Sequence, residues 1–101
     1  TLRDTMASAY YAISDFEAGL AQARRAAELF AATQGPDALD TFEARRKVGT
    51  FLAQLGERAA SRAWHEELLA DMVAALDPEH PEVWVVRTEL AIADLYGERP
   101  D

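Results

Sequence analysis

Apolar positions recur at helical spacing along almost the whole chain, in five stretches set apart by breaks. Leu2, Met6, Ala9, Tyr10 and Ile13 lie three or four residues apart, which predicts a helix over 2–14. Phe16, Leu20, Ala23, Ala27 and Phe30 continue as a second stripe and predict a helix over 16–33. Between the two, Ser14 and Glu17 have capping-box spacing. A connection that short would make the helices antiparallel neighbours. Gly35-Pro36 closes the second stretch, because glycine suits the left-handed position past a helix end and proline cannot continue the helix. Phe42, Val48, Phe51, Leu52 and Leu55 predict a third helix over 40–55, with Asp40 and Glu43 placed to cap it unless Leu39 is already helical. Gly56 ends it. Ala60, Trp64, Leu68, Met72 and Leu76 stand at every fourth position of a helix over 58–76, broken by Asp77-Pro78. Pro81 fits the first turn of a fifth helix over 81–96, where its missing N–H costs nothing. The β-branched run Val83-Trp84-Val85-Val86 lies between Pro81 and Leu90, which keep helical register, so no strand is expected.

The stretches also repeat. Arg3-Asp4-Thr5-Met6-Ala7 returns as Arg45-Arg46-Lys47-Val48-Gly49 and again as Arg87-Thr88-Glu89-Leu90-Ala91, 42 residues apart each time. Gly35-Pro36-Asp37 matches Asp77-Pro78-Glu79, Ser14 matches Gly56, Ala18 matches Ala60 and Phe30 matches Met72. The register slips by one near the end, where Tyr96-Gly97 answers Leu55-Gly56. A fixed period of this size marks stacked supersecondary units. The chain divides into a unit over about 1–42, a second over about 43–84 and a partial third over about 85–101, all in one domain. Each unit has a leading and a trailing helix, and the third lacks its trailing one.

Composition narrows the class. Of 101 residues, 21 are alanine, half are apolar, and Val, Ile and Thr are sparse, which favours packed helices over sheet or disorder. The net charge of −8 has the wrong sign for a nucleic acid or an anionic membrane surface. With no cysteine there is neither a disulfide nor a thiolate zinc site. No apolar run approaches the ~20 residues of a membrane span.

A small residue in mid leading helix, an apolar or aromatic residue three further on, and small residues in the trailing helix resemble the tetratricopeptide repeat. Ala7-x-x-Tyr10 with Ser14, Gly19, Ala23 and Ala26 carries the likeness in the first unit. Gly49-x-x-Leu52 with Gly56 and Ser61 carries it in the second, and His65 and Leu68 depart from it where small residues belong. The 42-residue period, Glu79-His80-Pro81 and Leu95-Tyr96-Gly97-Glu98-Arg99 look like the longer kinesin light chain type, which is also found in bacterial regulatory proteins. The resemblance implies an all-α right-handed solenoid of antiparallel helix pairs, here five helices. It also implies a concave face, lined by leading helices, that takes a peptide or protein partner.

In that register the groove positions are Asp4, Ser8, Tyr11 and Ala12, then Glu43, Arg46, Thr50, Ala53 and Gln54, then Val85, Thr88, Ile92 and Tyr96. Glu43 and Arg46 are expected to form a charge pair. Repeats that clamp a C-terminal carboxylate use Asn and Lys on their leading helices, and this chain has no Asn and only Lys47. Arg3, Arg45 and Arg87 form a ladder. Repetition in every unit favours a structural role, each arginine pairing with an acid on an adjoining helix, over binding of an acidic ligand. His65-Glu66-Glu67 begins like a zinc-protease helix, but Leu69 stands where the second His is required. His65 reads as a packing residue, His80 as a cap beside Pro81, and Trp64 and Trp84 as core. No metal, no cofactor and no catalytic constellation is expected. The sequence thus points to an interaction module, a piece of a longer cytoplasmic regulatory protein. Its rivals are an intramolecular segment controlling an attached effector domain, or a self-association element using the exposed ends of the stack.

Overall fold

A computed structural model describes the backbone over 2–97 and the side chains over 13–93 and at 95. The described residues form four helices and no strand: α1 (Leu2–Gln34), α2 (Leu39–Gln54), α3 (Arg58–Ala75) and α4 (Pro81–Gly97). Each helix packs chiefly on the one before it and the one after it. The chain is extended for its size, with a radius of gyration of 15.4 Å against about 13 Å for a compact domain of this length.

Four helices replace the five expected, because the first two are one. α1 runs unbroken for 33 residues through Ser14, a length of about 50 Å. The reason lies in the repeat itself. In the second unit the matching position is Gly56, with φ +83°. There Gly56 N–H donates to Ala53 C=O, and Glu57 N–H donates to Leu52 C=O at 2.9 Å. That pair of bonds turns the chain only around a left-handed residue. Ser14 bears a Cβ, for which the left-handed conformation costs about 1–2 kcal/mol. No Gly or Pro stands between residues 12 and 18. The capping-box reading of Ser14 and Glu17 therefore gives way to a continuous helix.

The other breaks fall close to where the sequence puts them. Gly35, with φ +107°, ends α1. α2 starts at Leu39 with Ala38 as its N-cap and no side-chain cap, so Asp40 sits inside the first turn and does not cap. Thr41 Oγ1 donates instead to Gly35 C=O at 2.7 Å, tying the turn to the helix. Before α4, Glu79 N–H donates to Asp77 Oδ1, and Glu82 N–H donates to His80 Nδ1 at 3.1 Å. His80 thus satisfies one of the free donors at the start of α4, and Pro81 removes another.

Two apolar clusters hold the stack. Ala23, Val48 and Leu52 join α1 to α2, with Leu20, Phe51 and Trp64 around them. Phe42, Leu68, Met72, Val83 and Val86 join α2, α3 and α4. Leu68 and Met72 of the expected stripe on α3 are buried, but in the first half of the helix the buried positions are displaced by one residue: Ser61 and His65 are buried, while Ala60 is exposed and Trp64 half-buried. The cause is the space that Gly49 leaves. A Cβ there would lie 2.5 Å from His65 Cε1 and Nε2. The imidazole therefore lies directly on the backbone of α2, and Ser61 Oγ donates to Gly49 C=O at 2.8 Å. Phe51 seats its ring on Gly19 of α1 in the same way.

Candidate functional site

A cavity of about 640 Å³ opens between α2, α3 and α4. Thr50 and Ala53 of α2 form one wall, Arg58, Ser61, Arg62 and His65 of α3 another, and Glu89, Ile92 and Ala93 of α4 the third. The lining is apolar at Ala53, Ile92 and Ala93 and polar at the other positions named. That mixture suits an apolar group held beside an oriented polar one.

One polar side chain from each helix meets at the cavity. Arg46 Nη1 of α2 lies 3.5 Å from Glu89 Oε1 of α4, and His65 Nε2 of α3 lies 3.2 Å from Glu89 Oε2. The second approach is off line for a hydrogen bond: Glu89 Oε2, His65 Nδ1 and Arg46 Nε are all buried without a hydrogen-bond partner. Burial pushes the His65 imidazole below its ordinary pKa of 6.5. The Glu89 carboxylate acts in the opposite sense and the Arg46 guanidinium in the same sense as burial. His65 is therefore the neutral member, set against a Glu89–Arg46 ion pair. Buried polar groups that are only partly satisfied are costly, so this corner is under-bonded as it stands.

Among the groove residues read from the sequence, Thr50, Ala53 and Ile92 line this cavity, and Arg46 stands behind Glu89. The expected Glu43–Arg46 pair is not formed. Glu43 lies 3.7 Å from Lys47 on its own helix, and Arg46 turns to Glu89. Gln54 and Thr88 are exposed outside the cavity, and Thr88 donates to Trp84 C=O within its helix. Val85 is exposed, also away from the cavity. The side chains of Asp4, Ser8, Tyr11, Ala12 and Tyr96 lie outside the described residues. So does that of Arg3 in the arginine ladder. Arg45 pairs with Asp71 of α3 at 2.8 Å, whereas Arg87 lies 5.4 Å over the ring of Trp84 on its own helix.

Comparison with known proteins gives no relative: no family model, no curated protein and no solved structure matches the chain. The chemistry of the site therefore rests on its own residues. Two of them, His65 and Glu89, were not legible as site residues. The positions 46, 65 and 89 have no helical spacing in common, and only the packing of three helices brings them together. Trp84, expected in the core, is 49% exposed. Trp64 is half-buried and donates from Nε1 to Arg45 C=O at 2.6 Å. Among the described residues no cluster of three or more metal-ligating side chains occurs, and no helix is long and apolar enough to cross a membrane.

Proposed function

We propose that the chain is a helical-repeat interaction module that takes a peptide or protein segment in the cavity between α2 and α4, with α3 as its floor. The observation that carries this reading is the cavity itself, where two leading helices and the helix between them open a space beside a three-helix polar cluster. Ile92, half exposed on its wall, is the apolar anchor. Thr50 and Arg58 at the rim select polar groups on the partner. In the binding of an extended segment a few such anchors supply most of the affinity, and their neighbours exclude water. The tetratricopeptide-like repeat, a solenoid arrangement and a place within a larger cytoplasmic regulatory protein belong to the same proposal. The 42-residue register and the sequential packing of the helices support the repeat and the solenoid arrangement.

The test is a random-peptide display selection on the purified chain, followed by fluorescence polarisation with the enriched peptides. A recurrent sequence motif is expected. Its binding should fall at least about tenfold with Ile92→Glu and with Thr50→Arg, the loss of a single anchor of more than about 1.4 kcal/mol. Both substitutions lie on the cavity wall and should leave the melting temperature near wild type. Enriched peptides that bind both variants as well as wild type would remove the cavity from the reading.

A further inference from the structure

The charges that line the cavity do not balance. Glu89 is set against Arg46 at 3.5 Å. Arg62 is set against Glu66, one turn along its own helix, at 3.1 Å. Arg58 has no acidic partner among the described residues. His65 is the neutral member, because burial lowers its pKa. The described lining is therefore left with one uncompensated charge. That charge is positive, in a chain whose net charge is −8.

The fold gives no use for that arginine. Arg58 is the first residue of α3. A helix N-terminus carries partial positive charge, so a cation there is unfavourable. No acidic residue in the first turn offsets it, and the N-cap Glu57 makes no side-chain cap bond. Arg58 is exposed, so its removal leaves no hole in the core. The repeat does not ask for a cation either, since Phe16 stands 42 positions earlier. A residue that works against its own helix, joins no ion pair and stands on a cavity wall is one where stability is given up for binding.

We infer that the segment bound in the cavity is acidic and aliphatic: one carboxylate received by Arg58, next to an aliphatic side chain resting on Ile92. One uncompensated guanidinium matches a monoanion, whereas a phosphate group of nearly two charges calls for more than one. The guanidinium fork takes a carboxylate through two parallel hydrogen bonds. Ala53, Ile92 and Ala93 supply the apolar wall, with Ile92 50% exposed, so the acid comes attached to apolar surface. Beside the three-helix polar cluster the cavity takes no second acid. His65, 4% exposed, has no hydrogen-bond partner for Nδ1, and Glu89 has none for Oε2. A carboxylate there would meet the Glu89 charge, and the unmet hydrogen bonds suit an uncharged polar group instead. The carboxylate belongs either to an Asp or Glu side chain or to the C-terminus of the segment; the chemistry at Arg58 is the same. This rests on the cavity being the binding site, as proposed above, and adds the charge of what enters it.

Peptides enriched by display selection test this, drawn from one random library with free C-termini and another with the random segment internal. A carboxylate beside Leu, Ile or Val is expected to recur. Fluorescence polarisation of these peptides on wild type, Arg58→Gln and Arg25→Gln then reads the contact. Arg25 is exposed on α1 away from the cavity, and its substitution changes the net charge equally. Binding should fall at least about fivefold with Arg58→Gln and stay at the wild-type level with Arg25→Gln. Exchanging the peptide's carboxylate for the amide should lose the same factor on wild type. It should lose nothing further on Arg58→Gln, because both changes remove one contact. Whether the side-chain amide or an amidated C-terminus has this effect names the source of the carboxylate. The urea midpoint of Arg58→Gln should equal or exceed that of wild type, since a cation leaves the helix N-terminus. Peptides that need Ile92 yet carry no carboxylate, or that bind Arg58→Gln as tightly as wild type, overturn the inference and leave the cavity as the binding site. So does a urea midpoint lowered by Arg58→Gln, which would give the arginine to the fold. A selection that yields no peptide, or only peptides indifferent to Ile92→Glu, removes the cavity reading and this inference with it.

Discussion

Gly49 and His65 decide how closely α2 and α3 approach. The imidazole occupies the place that any side chain at residue 49 would need. Gly49→Ala should therefore force His65 out of its seat and cost about 1–3 kcal/mol, as overpacking does. Helix propensity works the other way and favours Ala over Gly by up to about 1 kcal/mol, so a net loss in urea denaturation identifies the ring as the cause. The double variant Gly49→Ala/His65→Ala should recover much of the loss. If Gly49→Ala is as stable as wild type, the ring is not seated there. His65 also titrates with folding. Its pKa is lowered in the folded chain, so below pH 6.5 the unfolded chain binds the extra proton first. Stability from this group is complete above 6.5 and declines as the pH falls toward the folded value. His65→Gln should flatten that part of the stability–pH curve, measured as urea midpoints at successive pH values. The partners Glu89 and Arg46 face the imidazole from α4 and α2, so Glu89→Gln, which removes the charge that raises the pKa, should make the decline steeper.

Elements with a local chemical cause were legible from sequence, and elements settled by packing were not. Gly35, Gly56, Asp77-Pro78 and Pro81 mark their breaks through backbone conformation or a missing N–H, and each stands at or within three residues of a helix end. His80 caps for the same kind of reason. The expected break at Ser14 rested on a side-chain cap, and a cap only helps once the chain has a reason to turn. His65 reads as a packing residue and is buried; what the apolar period leaves open is whether Ala60 and Trp64 or Ser61 and His65 face inward, and Gly49, on another helix, decides between them. Trp84 looked like core because of its residue type, yet among the described residues it is 49% exposed. The contrast between Ser14 and Gly56 gives a direct prediction. Gly56→Ser places the first unit's residue in the second unit's turn. It should cost about 1–2 kcal/mol, the penalty for a side chain at positive φ. Thermal or urea melting reads this, and an unchanged midpoint would show that the α2–α3 turn does not depend on the left-handed residue.

Across the whole molecule the dominant force outside the two apolar clusters is charge. Eighteen acidic residues face ten basic ones in a chain of 101. Arg45–Asp71, Lys47–Glu43 and Arg62–Glu66 relieve part of this, but each has at least one well-exposed partner and is worth roughly 0–1 kcal/mol. Salt acts on both terms with opposite results. It screens the attractive pairs, which destabilises the fold, and it screens the net repulsion of eight uncompensated charges, which stabilises it. The pairs are short-ranged and the repulsion is spread over a slab 50 × 35 × 19 Å, longer than the Debye length of about 10 Å at 0.1 M salt. Screening therefore removes the spread-out repulsion more completely than the close pairs. The melting temperature should rise as sodium chloride is raised from about 0.02 M to about 0.3 M, a range that shortens the Debye length several-fold. Chloride is the right anion here, since sulfate would add a stabilising exclusion effect of its own. Working at low micromolar protein keeps association, which salt would also favour between two chains of the same sign, out of the reading. A melting temperature that falls over the same range would mean that the close pairs outweigh the net charge, with Arg46–Glu89, the least exposed of them, as the first to remove.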